Sequence, residues 1–384
     1  MHLSLTEEQS MIQDMARRFA QSELAPIAGR LDRVGDRDAF LGNLSRLADL
    51  GFMGLNVSSA YGGTEAGAVA FSVAVTELAR ACASTAVTMS VTNMVGEVIQ
   101  SIGSEQQKSL YLEKLCSGVY PAASFCLSEA NAGSDPANMK TRAVRDGEDW
   151  VLNGTKMWIS SAEFAGIFIV WAVTDPTAPK TKGISCFLVE AGIPGLNIGP
   201  AEAKMGQKAS VTNSVNFDNC HIPSSALLGQ FNDGYRIAVS ELAGGRIGIG
   251  SLALGVAQEA MDFARKYTTE REQFNRTISQ FQGIQWMLAD AYTELEAARL
   301  LLMNAAFLKE KGMPFMKQAA MAKLYATEAA NRACYTAIQL MGGVGYTKEY
   351  PLERYARDVR VTTIYEGTSE IQRLIIAREL LNEI

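Results

Sequence analysis

Acid–base chemistry in this 384-residue chain has few side chains to draw on. Histidine occurs only at His2 and His221, and His221 stands in a CHIP run that reads as a turn ahead of proline rather than as a ligand. Two isolated histidines build neither a His-rich metal site nor a Ser-His-Asp triad. Proton transfer therefore falls to a carboxylate. One carboxylate, Glu366, stands in IYEGTSEIQRL at 364–374, at the approach to a C-terminal helical pattern. On these residues alone it is either an acid–base group or the acidic lead-in to that helix.

Phosphate-binding loops are missing from the sequence. There is no GxxxxGK(S/T) run, and MGGVGYTKE at 341–349 lacks the third glycine of a dinucleotide turn and follows a helix, not a strand. A dinucleotide cofactor here would have to be held by side-chain cations, backbone N–H groups, or both.

The elements that must position such groups follow an order of helix, sheet, helix. Thr6 and Gln9 have capping-box spacing, and Met11, Ile12, Met15, Phe19 and Ala20 recur at helical intervals, with Pro26 marking the exit region. Helical patterns continue over about 38–50, 67–82, 85–102 and 105–115. From about 121 to 230 the texture changes to short β-rich runs such as SFCLSE, IFIVWAVT and GISCFLVE, separated by turn residues. Within DWVLNGTKMWIS, Asn153-Gly154 is the strongest local hairpin signal. After Asp233-Gly234 helix returns, with an apolar stripe through Ile284, Met287, Leu288, Ala291, Tyr292, Leu295 and Ala298, Ala-rich helix at about 314–341, and a last helix from near Thr368. The reading is an α+β chain with a helical domain at 1–120, a small antiparallel β-domain (a barrel) at 121–231 and a helical bundle at 232–384.

Composition narrows the function classes. The apolar fraction is 48% and the charged fraction 20%, enough for a sizeable core. A net charge of −6 with no Lys/Arg-rich run disfavours a nucleic-acid partner. No uncharged stretch reaches membrane-spanning length and no secretory signal opens the chain, so no membrane partner is expected. Six scattered cysteines without a CxxC pair read as reduced thiols, in keeping with the bacterial cytoplasm, or the mitochondrial matrix if a transit peptide has been removed.

Five segments, in order, resemble the recurring motifs of the acyl-CoA dehydrogenases: FCLSEANAGSD (125–135), NGTKMWIS (153–160), REQFNRTISQFQ (271–282), QLMGGVGYTKEYPLER (339–354) and IYEGTSEIQRL (364–374). The resemblance covers essentially the whole chain and implies that family's fold: an N-terminal helical domain, a middle β-domain and a C-terminal four-helix bundle that usually assembles as a homotetramer. It also implies the family's reaction: removal of the α-proton of an acyl-CoA thioester, passage of the β-hydrogen as hydride to FAD, and delivery of electrons to an electron-transferring flavoprotein. An oxidase on the same fold, handing electrons to oxygen, is the competing reading. The 384-residue length favours the dehydrogenase.

Residue by residue, the resemblance makes Glu366 the catalytic base. Some members carry the base on an earlier helix, immediately before an arginine; here that position is Gly245, before Arg246, so it is closed to this chain. Phe125, Cys126, Leu127, Ser128, Gly133 and Ser134, with Trp158, Ile159 and Ser160, match positions that flank the flavin. Thr368, Ser369 and Glu370 match contacts to the adenosine part of FAD. Arg271, Gln273, Phe274, Phe281 and Gln282, with Gln339, Leu340, Met341, Gly342 and Gly343, match positions that reach FAD from a neighbouring subunit. For the acyl-CoA, Ser134 and Arg246 match contacts to the pantetheine and nucleotide arms and Gly367 lies over the thioester. Ala243 replaces an acidic residue common in the family, which removes one hydrogen bond to the CoA adenine. Thr362, four residues before the base, resembles the short-chain members, and 84–102 has no arginine of the kind glutaryl-type enzymes need. A short straight acyl chain is therefore expected, with branched or alicyclic groups as the alternative.

Overall fold

The computed structural model describes residues 4–382. Helix α1 (Glu7–Phe19) starts on the expected capping box, with Gln9 N–H donating to the Thr6 hydroxyl at 3.2 Å and Thr6 N–H to Gln9 Oε1 at 3.0 Å. A π-helical segment (Ala20–Leu24) leads straight into α2 (Ala25–Val34), and Pro26 lies in the first turn of α2. The proline thus opens a helix rather than closing one, because a first-turn position has no intrahelical bond for its missing N–H to break. Helices α3 (Arg37–Asp49), α4 (Gly67–Ala81), α5 (Ala83–Ile102) and α6 (Glu105–Cys116) complete the helical third. Nearly every side chain of α4 and α5 is buried.

Eight strands form one sheet: β1 (Ala122–Cys126), β2 (Arg142–Asp146), β3 (Asp149–Ser160), β4 (Ala165–Val173), β5 (Ile184–Glu190), β6 (Leu196–Ala201), β7 (Thr212–Ile222) and β8 (Leu227–Leu228). Their order is β6-β7-β3-β2-β4-β5-β8, with β1 alongside β4. Most pairs are antiparallel as expected, but β1 runs parallel to β4 throughout and β2 touches β4 in parallel at one pair. The hairpin expected at Asn153-Gly154 does not form: β3 continues through it and bulges against β7 between Leu152 and Gly154. Ladder pairing with β7 on both sides of the bulge outweighs the local turn preference. A Cβ at Gly154 would stand 2.6 Å from Thr141, so the close approach requires glycine. The reversal falls instead at Gly147, with φ +61°, between β2 and β3.

The second helical region begins with α7 (Gly234–Glu270), followed by the β9–β10 hairpin (Glu272–Gln273, Arg276–Thr277), α8 (Gln282–Glu310), α9 (Met316–Met341), α10 (Leu352–Arg360) and α11 (Ser369–Leu381). Helix α9 packs on α7, α8, α10 and α11, while α7 also lies against α4 and α5. The stripe read on α8 faces this core: Ala291, Leu295 and Ala298 are buried, with Ile284, Met287, Leu288 and Tyr292 packed beside them. Helix α7 is long and apolar enough to cross a membrane, yet 72% of its most apolar window is buried by these neighbours. One core runs from the N-terminal helices into the bundle.

Candidate active site

Glu366 lies in the short link between the 3-10 turn Val361–Thr363 and α11. Its backbone is left-handed, φ +52°, and Gly367 follows at φ +91°. A non-glycine residue held there costs on the order of 1–3 kcal/mol and persists only where its surroundings enforce it. The enforcement is visible. Gln372, fully buried on α11, donates through Nε2 to the carbonyls of Glu366 at 3.1 Å and Gly367 at 2.9 Å. Lys323 Nζ, fully buried on α9, donates to the Gly367 carbonyl at 2.8 Å. On the other side, Gln207 Nε2 donates to the Tyr365 hydroxyl at 3.2 Å and to the Asp358 carbonyl at 2.9 Å. The backbone N–H of Glu366 makes no hydrogen bond among the described residues.

The carboxylate points inward. Its Oε2 is buried without a hydrogen-bond partner. Burial raises the Glu366 carboxyl to about 7, although the positive charges of Lys323 and Arg246 pull the other way. Gly245 on α7 is what leaves room: a Cβ there would stand 2.4 Å from Glu366 Oε2 and 2.7 Å from Met94 Sδ on α5. The alternative base position and Glu366 thus abut the same space, and only one of them carries a side chain. Arg246 is buried, with Nε and Nη1 unpartnered, and burial lowers its guanidinium to about 10 against the attraction of Glu366. The resemblance assigned Arg246 to the CoA arms, yet its charge acts on Glu366. Thr362 is also buried, donating to the Val359 carbonyl at 2.6 Å, and Ala243 is buried on α7.

Lys323 is the residue the sequence reading missed. Its signal was available: Ala319, Lys323, Ala326 and Ala330 follow one another at i, i+4, i+7 and i+11 and share the buried face of α9. A lysine on such a stripe is anomalous.

The two segments expected to flank a flavin meet where β1 leaves the sheet. Met157 N–H donates to the Ser128 carbonyl at 2.9 Å and the Ser124 hydroxyl to the Ser160 carbonyl at 2.8 Å. Beneath them Lys156 Nζ, fully buried, meets Glu129 Oε1 at 2.9 Å, and Glu129 also accepts the N–H groups of Lys140 at 2.6 Å and Thr141 at 3.0 Å. Burial alone would raise the Glu129 carboxyl, but Lys156 and these hydrogen bonds hold it below its ordinary value. On this clamp Trp158 presents an open aromatic face, 59% exposed at φ +63°. No packing accounts for a tryptophan displayed in a left-handed conformation, and a planar ring system such as a flavin fits it. Ser128 is half-buried, Gly133 and Ser134 are exposed, and the side chains of Cys126, Leu127 and Ile159 are buried in the core, while Phe125 packs at a tilt of 44° against Trp171 with centroids 4.2 Å apart.

A second set lies far from Glu366 in the same chain. Arg271 follows Gly245 by 26 residues of helix α7, about 39 Å at the α-helical rise. Around it, the β9–β10 hairpin turns through Phe274 and Asn275, both left-handed, and displays Phe274 with 87% exposure against Phe281 at 6.1 Å. Gln282 is exposed at the start of α8; Gln339, Gly342 and Gly343 are exposed at the end of α9, where Leu340 and Met341 are buried. Thr368, Ser369 and Glu370 stand at the start of α11, just after Glu366: the Thr368 hydroxyl accepts Ile371 N–H at 3.3 Å, the Ser369 hydroxyl donates to Glu328 at 2.7 Å, and Glu370 is exposed. No group of three or more His, Cys, Asp or Glu among the described residues could hold a metal.

Three family models match in succession: the acyl-CoA dehydrogenase N-terminal domain over residues 6–119, the middle domain over 124–220 and the C-terminal domain over 232–381. Among relatives, the short/branched chain specific acyl-CoA dehydrogenase of Bos taurus mitochondria is 44% identical, covering 98% of this chain and 86% of its own. The short-chain specific acyl-CoA dehydrogenase of Clostridium acetobutylicum is 41% identical over 99% of this chain and 100% of its own, and the acryloyl-CoA reductase (NADH) of Anaerotignum propionicum 42% identical over 99% and 96%. Butyryl-CoA dehydrogenase from Megasphaera elsdenii superposes with a TM-score of 0.95 at 36% identity, covering 99% of this chain and 100% of its own. By three domain matches, full-length identity above 40% and a shared fold, the chain belongs to the acyl-CoA dehydrogenase family of FAD-dependent oxidoreductases.

Proposed function

We propose that this chain oxidises a short-chain acyl-CoA thioester to the trans-2-enoyl-CoA, with Glu366 removing the α-proton. The observation that carries the reading is the Glu366 carboxylate itself: on a half-buried side chain, its Oε2 is enclosed and unpartnered, and with the group raised to about 7 it is a base matched to neutral pH. An α-C–H is weakly acidic, so the negative charge that develops on the thioester oxygen needs donors. The Glu366 N–H, without a hydrogen bond among the described residues and fixed by the bonds around Gly367, is one such donor. A preorganised donor of this kind contributes about 3–4 kcal/mol to the transition state. When bound, FAD supplies the hydride acceptor; Ser128, Trp158 and Ser160 are the groups that would face it, with Thr368 and Glu370 toward its adenosine end.

Arg271, Phe274, Phe281 and Gln282, with Gln339 to Gly343, serve the cofactor of a neighbouring subunit in this reading, because a span of about 39 Å of helix separates Arg271 from the Glu366 site. A homotetramer follows, and flavin binding and assembly are coupled. Replacing Arg271 with Ala is expected to lower flavin content after gel filtration, with loss of tetramer. Unchanged flavin would remove Arg271 from that role.

Electrons leave through an electron-transferring flavoprotein. Support comes from a chain solved in work on the electron transferring flavoprotein of Acidaminococcus fermentans, which superposes with a TM-score of 0.97 at 40% identity. Six free, buried cysteines fit a reducing compartment, the bacterial cytoplasm or mitochondrial matrix. Anaerobic bleaching of the flavin by a panel of acyl-CoAs tests cofactor, reaction and chain length together. Butyryl-CoA is expected to bleach fastest. Preference for a 2-methyl-branched thioester would transfer the enzyme to the branched-chain class that the bovine relative is named for.

A further inference from the structure

Glu366 is flanked by two buried cations from two different helices, and neither has a salt bridge among the described residues. Lys323 on α9 is fully buried and, among the described residues, its side chain makes one hydrogen bond, to the Gly367 carbonyl at 2.8 Å. Arg246 on α7 is buried with Nε and Nη1 unpartnered. The charged groups acting on Lys323 are Glu366, Arg246, Glu328 and Glu370, and Glu328 is engaged by the Ser369 hydroxyl. Burying an ammonium without a salt-bridge partner is costly, and an apolar side chain of the same length would serve packing better. Some other demand keeps the charge there.

We propose that Lys323 is a positioning residue for the base: its ammonium fixes the Gly367 carbonyl, and thereby the Glu366 backbone, while its charge holds the Glu366 carboxylate in its ionised form. The proposal rests on Glu366 being the base. Two effects follow from one side chain. The hydrogen bond to Gly367, backed by Gln372, maintains the left-handed turn that aims the Glu366 N–H and carboxylate together. The charge opposes the burial that would otherwise carry Glu366 beyond the pH at which it must accept a proton. As the α-proton moves to Glu366, the negative charge moves from the carboxylate to the thioester oxygen. Burial and Arg246 lower the Lys323 ammonium to about 8, against the pull of Glu366, so it remains charged at neutral pH.

The test is kcat/KM of the FAD-loaded enzyme with butyryl-CoA against pH, in the wild type and in Lys323→Met, Lys323→Gln and Lys323→Arg. Lys323→Met is expected to move the acid limb upward by about 1–2 pH units, the size of a lost neighbouring charge, a loss of roughly tenfold or more at pH 6. Lys323→Gln, close in shape and able to donate to Gly367, is expected to keep most activity at high pH yet show the same shift; it is the variant read if Lys323→Met does not fold. Lys323→Arg is expected to return the limb toward the wild-type position. A limb unmoved in Lys323→Met and Lys323→Gln, whatever happens to melting temperature, would overturn the proposal. Glu366→Gln, run beside them, separates the two ideas: near-normal turnover there removes the base itself, whereas a dead Glu366→Gln with unshifted Lys323 variants removes only the role given to Lys323.

Discussion

Glu366→Gln is expected to cut turnover of butyryl-CoA by at least about a hundredfold while the purified protein stays yellow. Glutamine has the shape of the carboxylic acid, so the left-handed turn, the Gln372 bonds and the fit beside Gly245 persist. What it lacks is a basic oxygen. Two accompanying signatures set this loss apart from misfolding. The wild-type acid limb should lie near 7, with activity lost as pH falls and the carboxylate protonates, and the variant should have no such limb. Stability should change with the opposite sense. A carboxyl raised in the folded state binds its proton more tightly there than in the unfolded chain, so folding loses stability as pH rises from the ordinary carboxylate range through about 7. At pH 8 the flavin-free variant should therefore melt above the flavin-free wild type, and near pH 4.5 the difference should vanish. Equal melting at both pH values would contradict a buried, charged base.

The second large effect is structural. Lys156→Met is expected to destabilise the protein by about 3–5 kcal/mol, the usual consequence of stranding one member of a buried ion pair. Glu129 would remain beneath the 127–141 segment, still accepting the Lys140 and Thr141 N–H groups, but with its charge uncompensated. Differential scanning calorimetry should show the loss, and adding Glu129→Gln should recover part of it because no charge is then stranded. Glu129 is held below its ordinary value, so its contribution is present above the ordinary glutamate range and disappears as pH falls through and below it. Flavin affinity should fall too, since this clamp seats Ser128 against Met157 next to Trp158. A melting point matching the wild type would show that the pair contributes nothing net.

What the sequence made legible was mostly local or repetitive. The Thr6 capping box could be read because its partners lie within three residues of each other. Helices α4, α5 and α9 announce themselves by composition and period. Asn153-Gly154 misled because the competing force, the ladder between β3 and β7, pairs residues some 60 positions apart and leaves no local trace. Pro26 was read as an ending when a first-turn proline serves equally as a beginning. At the site, Glu366 was found through its motif, but its left-handed backbone and the free space at Gly245 belong to the packing of three elements. Lys323 escaped because charge ordinarily marks a solvated face, and only its position on the alanine stripe betrayed it. Arg246 was legible as a residue and not as a charge acting on Glu366.

The most direct test of Glu366 as the base is hydrogen exchange at the α-carbon. Butyryl-CoA is incubated anaerobically with FAD-loaded enzyme in D2O, and deuterium at the α-position is followed by proton NMR. The wild type is expected to wash in deuterium at a rate that rises through pH 7, and Glu366→Gln to show none above the enzyme-free rate. Wild-type exchange in Glu366→Gln would mean that another group takes the proton.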